Sequence, residues 1–217
     1  MSSIKAVIYD MDGVLINSEP LWREAIITTF KKVGLHFTEK MCQQTMGMRL
    51  YEVIEYWHHK TPWEGMTLKE VESDLLKTVT QLILDKGEAL PGVNESIQYF
   101  QNKGYKIALA SSSANSLIEA VLTKLNLNGV FSIVNSAEHL THGKPHPEIF
   151  IKTALEMGVN PVNCLVIEDS FNGVLAGKAA MMNVIAIPEE ENWNDERFCI
   201  ANYNLKSLNE ITALEFE

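Results

Sequence analysis

Short apolar runs rich in β-branched residues recur along this 217-residue chain, and polar motifs stand directly after three of them. That arrangement limits the possible folds more than any other feature. The runs lie at residues 6–9, 106–110, 164–167 and 184–187, with a weaker one at 131–134. Strands buried on both faces of a parallel sheet read as such continuous runs and not as alternation. Helical periodicity fills most of the intervals. Leu117, Val121, Leu122 and Leu125 share one face, as do Ile149, Phe150, Thr153 and Ala154. Strands alternating with helices predict an α/β fold, a Rossmann-like open parallel sheet with crossover helices.

The pattern breaks between about residues 20 and 87, where no strand is evident. Leu21, Ala25, Ile26, Phe30 and Val33 recur at helical spacing and stop at Gly34, a C-cap signal. Thr67 and Glu70 form a capping box ahead of a helix carrying Val71, Leu75, Val79, Leu82 and Ile83. An all-helical insertion directly after the first strand is therefore expected. Residues 1–16 and 88–217 would form the α/β core, and residues 17–87 the helical domain. The acidic tail after Glu189 gives no clear pattern.

Composition narrows the partners. The chain has 18 Lys+Arg against 28 Asp+Glu, a formal charge of −10, which argues against a nucleic-acid binder. No window approaches 18 uninterrupted apolar residues, so no membrane span is expected. The opening MSSIKAVIYDMDG reaches acids too early for a signal peptide. Cys42, Cys164 and Cys199 are an odd set at wide spacing, which fits a reducing compartment. A cytoplasmic monomer acting on a small molecule is the expectation.

Four segments carry candidate chemistry. Asp10-Met11-Asp12-Gly13 places two carboxylates at a strand's C-terminal end, the edge where open α/β sheets bind ligands. Asp and Gly also favour turns for purely local reasons. Ser111-Ser112-Ser113 follows the second strand, where hydroxyls and free N–H groups hold a phosphate oxygen or merely cap a helix. Gly143-Lys144-Pro145-His146-Pro147 puts a lysine on backbone stiffened by proline. Glu168-Asp169-Ser170 closes a strongly apolar strand with adjacent acids, oxygen donors of the kind Mg²⁺ prefers.

Parallel strands point their C-terminal ends toward one crevice, so Asp10, Asp12, Ser111, Lys144, Glu168 and Asp169 should converge. Four carboxylates repel one another and raise each other's pKa unless cations intervene. A divalent ion plus Lys144 would relieve the repulsion and leave a site receptive to a phosphate dianion.

The ordered set D-x-D-G, Ser, K-P and E-D, with a helical insertion after the first motif, resembles the haloacid-dehalogenase-like phosphohydrolases along essentially the whole chain. The insertion resembles their α-helical cap. Leu21-Trp22, Gly47-Met48-Arg49, Trp57 and Pro62-Trp63-Glu64-Gly65 further resemble bacterial sugar phosphatases acting on 2-deoxyglucose 6-phosphate or hexitol phosphates. The resemblance implies a Mg²⁺-dependent phosphatase of small phosphorylated metabolites. Asp10 would be the nucleophile, forming an aspartyl-phosphate, and Asp12 the acid that becomes the base. Ser111, Ser112 and Lys144 would hold phosphoryl oxygens, with Asn115 near the phosphate. Asp169 would ligate Mg²⁺ with Asp10 and the Asp12 backbone carbonyl, and Glu168 would ligate or orient it.

Two rivals follow. A β-phosphoglucomutase resembles the chain, cap included, but carries His where Trp22 stands and Asp where Asn17 stands. A non-catalytic phospho-receiver combines similar acids, Mg²⁺ and lysine, but is smaller and lacks the D-x-D pair. In the insertion, Trp22 and Arg49 are candidates to line a sugar-sized pocket, Arg49 as a hydroxyl or phosphate donor. Trp57 and Trp63 read as packing, His58-His59 as solvated surface, and Met181-Met182 as core.

Overall fold

A computed structural model describes residues 4–214. Its frame is a parallel six-stranded sheet in the order β3-β2-β1-β4-β5-β6. The strands are β1 (Ala6–Tyr9), β2 (Lys106–Ser111), β3 (Ile133–Ser136), β4 (Cys164–Glu168), β5 (Asn183–Ala186) and β6 (Tyr203–Asn204). The expected runs become strands because both faces are covered. On one face Val7, Tyr9, Ile107, Leu109, Leu165 and Ile167 join a single apolar cluster. The alternate residues Ala6, Ile8, Ala108, Ala110, Cys164 and Val166 join a second cluster on the other face.

Crossover helices α5 (Val93–Asn102), α6 (Asn115–Lys124), α7 (Glu148–Glu156) and α8 (Phe171–Ala179) alternate with the strands from β2 onward. Strand order reverses between β1 and β4, which are direct neighbours with Tyr9 opposite Ile167. That switch point opens a crevice beyond the strands' C-terminal ends.

Between β1 and β2 the described chain forms α1 (Glu19–Lys32), α2 (Glu39–Cys42), α3 (Leu50–Lys60) and α4 (Leu68–Lys86). Helix α1 ends on Gly34 at φ +80°, with Gly34 N–H donating to Lys31 O and Leu35 N–H to Phe30 O, a Schellman stop. Helix α4 starts on the reciprocal Thr67–Glu70 capping box. Trp57 and Trp63 are buried, in edge contact with Phe37 and Phe30 respectively. The insertion's two connections lie side by side, Asn17 N–H donating to Glu88 O and Leu90 N–H to Leu15 O.

Three expectations need correction. The weak third strand falls at 133–136 because it is the half-exposed sheet edge, with Val134 at the surface. Met181 is 73% exposed, since it takes φ +61° in the turn into β5, while Met182 alone enters the core. His58 is half-buried against the Trp63 ring and not simply solvated. The tail supplies β6 at the sheet edge, paired to β5, and then short 3₁₀ turns that bury Leu208 and Ile211. No described helix is long and apolar enough to cross a membrane.

Candidate active site

Asp10 follows β1 and donates its N–H to Ile167 O on β4, which sets it beside Glu168 at the switch point. Lys144 reaches in from the loop before α7. Its Nζ donates to Asp10 Oδ1 at 2.6 Å and to Glu168 Oε1 at 2.5 Å, and all three side chains are buried. The second Glu168 oxygen accepts the N–H groups of Asp169 and Ser170 and the Ser170 hydroxyl. Glu168 is thus saturated, a side chain that holds the loop and the lysine in place.

Asp169 differs. Its Oδ2 is buried and has no hydrogen-bond partner. Buried carboxylate oxygens are ordinarily satisfied, so an unpaired one marks a missing partner. Ligand oxygens of Asp10, Glu168 and Asp169 all lie within 4.8 Å of one another. Gly13, at φ +69°, leaves room for this carboxylate, since a Cβ there would overlap it. An all-oxygen, acid-rich cluster with an orphaned oxygen fits a hard divalent cation such as Mg²⁺.

Burial is the largest effect on Asp10 and pushes its carboxyl up to about 8, against the pull of Lys144 and with Glu168 and Asp12 adding repulsion. Asp169 is raised well above the ordinary carboxylate range, by burial first and then by Glu168, Glu19 and Asp10. Burial alone would lower Lys144, but Asp10 and Glu168 outweigh it and hold the ammonium above its ordinary value. The cluster therefore keeps at least one proton at neutral pH unless a cation replaces it.

Asp12 is held apart from this cluster. Its Oδ1 accepts from the Ser18 hydroxyl at 2.7 Å and the Trp22 indole N–H at 2.9 Å. Its Oδ2 accepts from the Ser113 hydroxyl at 2.7 Å. One cavity nevertheless joins both carboxylates, lined also by Ser111, Ser112, Lys144, Asp169, Glu19 and Arg23. The space open to the centre of a water-sized sphere is about 70 Å³. One water needs about 10–15 Å³ on that measure. The cavity therefore suits a small molecule and not a polymer.

The structure brings together Asp10, Asp12, Ser111, Ser112, Lys144, Glu168, Asp169 and Trp22, and leaves out two expected residues. Asn115 donates its amide to Glu138 at 2.9 Å, at the start of α6 and away from the cavity lining. Arg49 is buried but faces the sheet domain, donating to Ala137 O, Leu140 O, Tyr51 Oη and Glu52 Oε1. It ties the insertion to the loop after β3 and presents no donor to the cavity. Ser112 serves partly the same end, its hydroxyl donating to Gly47 O.

Nothing in the sequence signals Ser18, Glu19 and Arg23, and Ser113 is offered there as part of the serine run but not as a donor to Asp12. Ser18-Glu19-Pro20 reads as an ordinary helix start, yet Ser18 makes no side-chain cap bond and turns to Asp12 instead. Glu19 lines the cavity, its carboxyl pushed up to about 8 by burial and by the nearby Glu189 and Asp12. Arg23 is paired with Glu189.

A family model described as haloacid dehalogenase-like hydrolase matches residues 7–187. The chain is 38% identical over 211 residues to hexitol phosphatase B of Escherichia coli K12, covering 97% of this chain and 95% of that one. It is 32% identical to a phosphorylated carbohydrates phosphatase of Thermotoga maritima, covering 82% of each. A crystal structure of β-phosphoglucomutase from Clostridium difficile superposes with TM-score 0.82 at 26% identity, over 98% of this chain and 94% of that one.

Proposed function

Because the chain belongs to the haloacid dehalogenase-like hydrolases and is a phosphomonoester hydrolase, we propose that it is a Mg²⁺-dependent phosphatase of sugar or sugar-alcohol phosphates, such as 2-deoxyglucose 6-phosphate or a hexitol phosphate. The observation that carries the reading is the Lys144 bridge between Asp10 and Glu168 beside the orphaned Asp169 oxygen, with Asp12 separately held in the same cavity.

Asp10 attacks phosphorus and takes the phosphoryl group, while Asp12 gives a proton to the departing alkoxide. Asp12 then takes a proton from the water that cleaves the aspartyl-phosphate. Lys144 and the Ser111 region hold the phosphoryl oxygens. Asp10, Asp169 and the Asp12 backbone carbonyl would hold Mg²⁺, with Glu168 fixing their arrangement. When bound, the ion supplies the positive charge that lets an anionic nucleophile approach a phosphate dianion.

The helical insertion acts as the cap, residues 17–87 turning about the paired connections at Asn17–Glu88 and Leu15–Leu90. Glu19 and Arg23 offer an acceptor and donors for polyol hydroxyls, beside apolar Ile26, Met48 and Val53. This reading is tested by phosphate release from 2-deoxyglucose 6-phosphate, sorbitol 6-phosphate, mannitol 1-phosphate, glycerol phosphate and β-glucose 1-phosphate, with Mg²⁺ and with EDTA. Mg²⁺-dependent release from the sugar esters is expected. Conversion of glucose 1-phosphate to glucose 6-phosphate without phosphate release would overturn it in favour of a mutase.

Trp22 acts through Asp12, as a positioning residue. A hydrogen bond to a charged group is worth about 1.5–3 kcal/mol. Trp22→Phe should therefore lower kcat about tenfold or more with little change in KM. A rise in KM alone would mean that the indole only packs on substrate.

Mg²⁺ should also stabilise the fold in a pH-dependent way. The Asp10 carboxyl titrates higher in the folded chain than in the unfolded one. Between about pH 4 and 8 the metal-free folded state then binds the extra proton, so stability falls as pH rises through that window. Mg²⁺ replaces the proton, and its thermal shift should be larger at pH 8 than at pH 6. Equal shifts at both values would contradict the protonated cluster.

A further inference from the structure

The loop that carries Lys144 faces the catalytic cavity with that lysine, and on its exposed side it gathers a separate set of donor atoms. His142 Nδ1 lies 3.2 Å from Glu148 Oε2, and His146 Nδ1 lies 4.0 Å from the same oxygen. The two imidazoles stack, with ring centroids 4.3 Å apart at 29°. Ligand atoms of His142, His146 and Glu148 all fall within 4.8 Å of one another.

The His142–Glu148 separation matches the edge of a coordination tetrahedron, and the His146–Glu148 separation is longer. Bonds of about 2.0–2.1 Å at a tetrahedral angle put adjacent ligand atoms about 3.3 Å apart. The His142–Glu148 pair is already at that spacing, and the exposed His146 ring reaches it by rotating out of the stack so that its in-plane lone pair turns toward the ion. Prolines at 145 and 147 bracket His146 and limit the backbone that must be ordered. Glu148 already accepts the His142 N–H at 2.8 Å, which fixes its carboxylate toward the rings. The contacts an ion would displace are the His142 Nδ1–Glu148 Oε2 hydrogen bond at 3.2 Å and the Glu148 N–H donating to His146 Nδ1 at a long 3.3 Å.

We propose that His142, His146 and Glu148 form a second metal site, selective for a borderline divalent ion such as Zn²⁺, with water completing the shell. Two imidazoles and one carboxylate suit Zn²⁺, Co²⁺ or Ni²⁺, whereas the catalytic cluster offers only oxygens and suits Mg²⁺. Its ligands straddle Lys144 in sequence, so an ion there staples the loop whose other side holds Asp10 and Glu168.

The test is calorimetric titration of untagged protein with Zn²⁺ in saturating Mg²⁺, repeated on His142→Gln, His146→Gln and Asp169→Asn. One Zn²⁺ per chain is expected, weakened at least tenfold by either histidine substitution and unaffected by Asp169→Asn. Both histidine variants should keep the wild-type melting temperature without Zn²⁺, and only the wild type and Asp169→Asn should gain stability when it is added. No Zn²⁺ binding, binding that survives both histidine substitutions, or binding lost in Asp169→Asn instead would overturn the proposal. None of these outcomes bears on phosphate release with Mg²⁺ alone.

Discussion

Asp10→Asn should reduce turnover by about four orders of magnitude or more, the scale on which loss of a covalent nucleophile acts. An amide is a poor nucleophile and a weak metal ligand. The fold should not suffer. Asp10 is one of three carboxylates crowded into the cluster, and Lys144 keeps its bond to Glu168 when Asp10 is neutralised. Asn holds that position neutral at every pH, so it relieves the repulsion that Asp10 adds when it ionises near pH 8. A melting temperature at or above wild type, with activity abolished, is the expected pair of results. Turnover near wild type, with deamidation excluded by mass spectrometry, would sink the mechanism.

Lys144→Met should fail in the opposite way, losing both activity and stability. The lysine is buried between two buried carboxylates, and its removal strands their charge. Breaking a buried pair by deleting one partner costs about 3–5 kcal/mol. For a domain of this size that corresponds to a drop of roughly 10 °C in melting temperature. Mg²⁺ should recover part of the stability, because it also neutralises the acids. It should not recover turnover, because the phosphoryl oxygens have lost their fixed donor. A variant as stable as wild type would show that the carboxylates are already neutral and that Lys144 plays no part in balancing them.

The sheet and the acid cluster were legible because their signals are local and coincide. A run such as Cys164 to Ile167 is buried on both faces, and the Glu168-Asp169 pair that follows has nowhere to go but the strand's C-terminal edge. The orientation of side chains in the insertion was not legible. Arg49 has the right chemistry to hold a substrate, but the start of α3 aims it at the Ala137 and Leu140 carbonyls, and no pattern in its neighbours encodes that direction. Ser18 and Glu19 do start α1, as their pattern reads, and nothing in that pattern says that the Ser18 hydroxyl turns to Asp12 instead of capping the helix. Strand β6 escaped because a two-residue edge strand carries too little periodicity to register.

The central claim is that Asp10 carries the phosphoryl group and that Asp12 moves the proton in both halves of the reaction. The most direct measurement is an acid-quenched time course of Asp12→Asn with p-nitrophenyl phosphate and Mg²⁺, followed by mass spectrometry of the peptide containing Asp10. p-Nitrophenolate leaves without a proton, so the first half should proceed and the second should stall for want of a base. A burst of one p-nitrophenol per chain, a slow phase after it, and one phosphoryl group on Asp10 are expected. Linear release of p-nitrophenol and phosphate together, with no phosphorylated peptide at any time, would contradict the claim.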